Sequence, residues 1–83
     1  MAMKMIAIKR CIFQHKQTKE YRWLSLESQE GRGGRYVCES SADSVDQPSQ
    51  KPLDTVCNPG SLIDYENAVS RVSGEGYDIV TQL

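Results

Sequence analysis

The first run of recurring apolar side chains is Met3 to Phe13, which contains no glycine or proline and places apolar residues on both alternating faces. That pattern predicts a largely buried strand. The adjacent Lys9 and Arg10 mark a bulge, or the point where the strand leaves the core. His15 to Glu20 is polar and suits a hairpin loop. Tyr21-Arg-Trp-Leu-Ser-Leu26 then alternates, with Tyr21 and Trp23 on one face and Arg22, Leu24 and Leu26 on the other, as a second strand does. Glu30-Gly-Arg-Gly-Gly-Arg35 is a turn signal, because glycine reaches the positive φ values of tight hairpins. Arg35 to Ser40 reads as a third strand, completing an antiparallel meander.

Ser41 to Gly60 holds Pro48, Pro52 and Pro59 among Ser, Asp and Gln, which is loop chemistry, with Val45, Leu53 and Val56 available to pin it to the sheet. Ser61-Leu-Ile-Asp64 has the outline of a capping box. Leu62, Tyr65, Ala68, Val69 and Val72 follow on one helical face, and Gly74 is placed to end the helix in a left-handed cap. Tyr77 to Gln82 alternates again as a fourth strand. The expected fold is α+β in the order βββαβ: one domain over residues 1–83, a small, mostly antiparallel four-stranded sheet with one helix on one face, and a long loop at 41–60. The other sheet face is left uncovered. If Tyr21, Trp23 and Tyr36 point to it, the exposed apolar patch needs a partner.

Composition sharpens this outline in three ways. Leu, Ile, Val and Phe make up only 17 of 83 residues, so the core is thin, while a net charge of -1 argues against a disordered chain. Met1 to Phe13 is broken by Lys4, Lys9 and Arg10, too often for a signal peptide, and no stretch has the apolar length of a membrane span, so a cytoplasmic location is expected. The three cysteines, Cys11, Cys38 and Cys57, are an odd number and sparse, and are expected as free thiols.

Charge divides by position. Residues 1–36 carry eight Lys and Arg against three Glu, whereas residues 37–83 carry two against eight acids. The basic half also contains most of the aromatics. Lys16, Lys19, Arg22, Arg32 and Arg35 near Tyr21, Trp23 and Tyr36 combine salt-dependent attraction with stacking faces, as single-strand nucleic-acid binders do. The acidic half instead suits a basic protein surface, and in this it resembles small phage and mobile-element proteins that block nucleic-acid-handling enzymes.

Catalytic and metal chemistry find little support. Zinc could draw on Cys11, His15, Cys38 and Cys57, but no C-x-x-C pair exists. A Cys11 to His15 nucleophile and base would lack a third, orienting group. Asp43, Asp46, Asp64 and Glu66 are acids of a kind expected wherever eight are spread through one half, and Asp64 has a use at the helix start. Gly31-Arg-Gly-Gly34 is flanked by strands, whereas phosphate-cradling loops run from a strand into a helix. The reading is therefore a noncatalytic protein-interaction module without a cofactor. It would self-associate as a homodimer, or bind a partner protein, through the uncovered sheet face, an edge strand or the acidic surface, with Tyr21, Trp23 and Tyr36 as anchors. Weak single-stranded nucleic-acid binding is the alternative.

Overall fold

In the computed structural model, which describes residues 5–29, 31, 33–42 and 54–82, the three expected strands form a continuous meander. β1 (Met5–His15) pairs antiparallel with β2 (Tyr21–Gln29), and β2 with β3 (Arg35–Ala42). The turn between β2 and β3 uses Gly31 and Gly33 at φ of 80° and 70°. Beyond it the chain departs from expectation. A fifth strand, β4 (Val56–Pro59), pairs antiparallel with β3, with Cys38 opposite Cys57. α1 (Leu62–Gly74) follows, and β5 (Tyr77–Gln82) pairs antiparallel with β1. The sheet order is β4-β3-β2-β1-β5. The α+β class holds, but four strands in βββαβ order become five in ββββαβ order.

β4 escaped the sequence reading because its four residues, Val-Cys-Asn-Pro, carry no alternation and lie in a segment rich in proline and aspartate. Its side chains are all exposed. Val56 is 59% exposed and does not pin the chain to the core. Val45 and Leu53 lie outside the described residues.

Directly opposed residues in an antiparallel pair share a face, so the register sorts the side chains. One face carries Cys11 opposite Leu24, and Leu26 opposite Val37. Onto it α1 lays Tyr65, Ala68, Val69 and Val72, spaced as one helical stripe. With Phe13 and Tyr77 these residues form the core. Leu62, assigned to that stripe from sequence, is 37% exposed. At the helix start the Asp64 carboxylate accepts from the Ser61 N–H (2.7 Å) and the Ser61 hydroxyl (3.0 Å), which holds its pKa below the ordinary range. The helix ends at Gly74 as expected, but the left-handed conformation falls two residues later, at Gly76 (φ 96°), with Glu75 as the cap.

Two bulges re-phase the outer strands. Ala7 faces Glu27 but Lys9 faces Leu26, so Ile8 is the extra residue, one position before the expected Lys9-Arg10 site. On the other side of β1, Ile12 faces Thr81 and Phe13 faces Ile79, which makes Val80 the extra residue of β5.

The free-thiol expectation is overturned for two of the three cysteines. Cys38 and Cys57 form a disulfide, and only Cys11 is free, buried in the core, where desolvation raises its pKa. The pairing depends on β4 lying beside β3, which the spacing of cysteines along the chain does not reveal. No helix is long and apolar enough to cross a membrane among the described residues.

Candidate interaction surfaces

Tyr21 and Trp23 lie on the face opposite the helix, because Leu24 and Leu26 lie on the helix face and side chains alternate. Tyr36 shares their face through its register with Glu27. All three are only half-buried, and this face is not a bare apolar sheet. Ile12, opposite Trp23, is buried, and so are Ser25, Glu27, Cys38 and Ser40. Ser25 donates to the Glu27 carboxylate at 2.6 Å. The Trp23 Nε1–H is occluded without a hydrogen-bond partner.

The register divides the described basic residues between the two faces, with Arg10, opposite Ser25, on the side of these aromatics. Arg22 turns to the helix face, where its Nη1 reaches Glu39 Oε2 at 3.0 Å and its guanidinium lies 5.1 Å over the Tyr77 ring. Arg71 of α1 also grips Glu39 and adds Glu75 at 2.9 Å. Lys16 pairs with Asp78 at 3.6 Å. Lys16 and Lys19 belong to the turn between β1 and β2. Arg35 begins β3 opposite Ser28, six or seven residue steps along β2 from Tyr21 and Arg22, or roughly 20 Å at strand rise. Arg32 lies outside the described residues. Among the described residues the basic and acidic halves of the chain thus meet each other at Arg22–Glu39 and Lys16–Asp78.

A groove of about 550 Å³ opens between α1 and the β3–β4 side of the sheet, with Arg22, Val37, Glu39, Val56, Asp64 and Arg71 among its walls. Its charged groups are engaged within the protein. Glu39 holds both arginines, Asp64 holds Ser61, and Asp54 accepts from the Ser41 N–H at 3.2 Å, its pKa lowered by hydrogen bonds from the Ser41 side chain first and the Ser41 backbone second.

Apart from Val56, the large aliphatic residues that water reaches lie elsewhere. Of the seven exposed large hydrophobics among the described residues, Ile6, Ile8, Ile79 and Val80 (41–46% exposed) sit on the β1–β5 margin. The others are Val56 on β4 and Leu62 and Ile63 at the start of α1. β5 covers only Cys11–His15 of β1, so Met5–Arg10 runs on past it, and among the described residues neither β5 nor that overhang has a neighbour on its outer side. The two isoleucines of β1 and the Ile79-Val80 pair were assigned from sequence to the buried strand and to an alternating one. Their exposure follows from the two bulges and from the outermost position of β5.

Cys11 and His15, suggested as a dyad, serve different structures. The His15 Nδ1 accepts from the Gln17 and Thr18 N–H groups at 3.2 Å, so the proton sits on Nε2, which donates to the Glu75 carbonyl at 3.2 Å. Of the four residues suggested for zinc, Cys38 and Cys57 are bonded to each other. No protein-family model, curated protein or solved structure matches this chain, so its function has to be read from its own residues.

Proposed function

We propose that this protein is a noncatalytic interaction module that self-associates through the β1–β5 margin, adding the β5 of a second copy antiparallel to its own. The observation that carries the reading is the concentration of exposed aliphatics, Ile6, Ile8, Ile79 and Val80, on the margin where strand hydrogen-bonding groups have no neighbour among the described residues. Pairing there offers backbone partners and removes apolar surface from water together. Two antiparallel copies of one strand are related by a twofold axis, so the contact is closed and stops at a dimer. Asp78, the one charged residue of β5, is paired with Lys16 and leaves the centre of the strand uncharged.

Sedimentation velocity over a concentration series tests this. The expected result is a monomer–dimer equilibrium that Ile79→Lys shifts to monomer without loss of the fold by circular dichroism. A chain that stays monomeric at its highest soluble concentration, or an Ile79→Lys variant that dimerises as well as the parent, overturns it.

A further inference from the structure

We propose that the Cys38–Cys57 disulfide is a redox latch on β4, and that its reduction by a dithiol bares the outer edge of β3 as a second pairing surface for another copy of this chain. All four β4 side chains are exposed, so no buried side chain anchors the strand. Among its ties are its ladder to β3, the Gly60 N–H to Arg35 carbonyl bond at 3.1 Å, and the disulfide. A four-residue ladder without buried side chains is a weak element, and the covalent link is its strongest tie.

The two sulfurs differ in access. Cys38 is 2% exposed, whereas Cys57 belongs to the exposed strand. A dithiol reductant therefore attacks through its thiolate at Cys57 Sγ. The S–S bond breaks, Cys38 leaves as a thiolate and takes up a proton, and a mixed disulfide remains on Cys57. The reductant's second thiolate then attacks its own sulfur in that mixed disulfide and releases Cys57. The protein gains two electrons and two protons as two thiols, and the dithiol becomes a disulfide.

With β4 released, the groups of β3 that faced it from Tyr36 to Glu39 lose their partners. The β5 of a second copy is the occupant this edge fits, because among the described residues no strand lies on its outer side, it carries exposed aliphatics, and every pairing in the sheet is antiparallel. Pairing a β3 edge with a β5 edge is head-to-tail and takes the place of the β5–β5 contact, so the reduced protein grows into open chains larger than a dimer. That assembly step rests on the proposed use of β5, while the release of β4 does not.

Hydrogen exchange on the full chain, oxidised and after dithiothreitol, separates the two. Reduction should speed exchange in residues 56–59 and in the outward amides of β3 about 100-fold, the scale of the lost ring-closure constraint, while β1 and β2 keep their protection. Cys57→Ser should show the open pattern in either buffer. Unchanged protection of β4 in reduced protein and in Cys57→Ser overturns the latch, as does loss of protection by the whole chain at once. Sedimentation of the same samples should show species larger than a dimer only after reduction. If β4 opens and no larger species form, head-to-tail pairing is refuted and the latch stands.

Discussion

The two edges of the sheet are built on opposite principles. The β4 edge is four residues long, ends in a proline that cannot donate to a ladder, is bonded covalently to its neighbour, and carries one exposed large aliphatic. The β5 edge is six residues long, has neither proline nor lysine, and presents Ile79 and Val80 to solvent beside the isoleucines of the β1 overhang. Short length and proline are among the devices that keep strand edges from pairing; of these devices β5 has only the bulge at Val80 and the charge of Asp78. On the proposed reading, a sheet with one guarded and one bare edge forms a closed pair, whereas one with two bare edges polymerises. The proposal can be broken from either side.

The largest effect should come from the core that both edges share. Phe13 is fully buried and lies opposite Ile79, and Phe13→Ala should cost about 3–5 kcal/mol. In a urea titration it should lower the midpoint enough to unravel both edges together. Removing the guard should cost less. Cys57→Ser opens a loop of 19 residues of sequence separation, and about 3 kcal/mol of stability should be lost, with the damage in exchange experiments confined to the β4 side.

Ile79→Lys should leave urea stability within about 0.5 kcal/mol while weakening dimerisation tenfold or more, about 1.4 kcal/mol. The smallest effect should be that of acid. Asp54 and Asp64 both have lowered pKa values because they accept hydrogen bonds from Ser41 and Ser61, and both belong to the segment that brings the chain into and out of β4. Their support is present above the ordinary aspartate value and lost as the pH falls through the lower, folded one. Amide shifts of Ser41 and Ser61 should therefore move below about pH 4, with those of β5 unaffected.

This asymmetry was only half legible in the sequence. Strong alternation marked β2 and β5, the spacing of Tyr65, Ala68, Val69 and Val72 marked α1, and the glycines of 31–34 marked the turn into β3. Those signals are local, and the elements formed as expected. β4 and its disulfide depend on what lies beside them in space, and the exposure of Ile6, Ile8, Ile79 and Val80 depends on strand order and on bulges. Periodicity records which side chains alternate, not which strand lies outermost. Alternation places Tyr21 and Trp23 on one face, but Tyr36 joins them only through its register with Glu27, and the burial of Ile12, Ser25 and Glu27 beside them is not written in alternation.

His15 gives the two ends of the molecule different value as sites for engineering. One imidazole ties the turn after β1 to the turn before β5, and a side chain at Gly76 would press to 3.0 Å from its Nε2. That end is closed to insertions. At the opposite end, a Cβ at Gly31 or Gly33 would meet nothing within 4 Å. A fluorophore or affinity tag grafted there meets no neighbouring side chain at its first carbon, provided the graft keeps residues that accept positive φ.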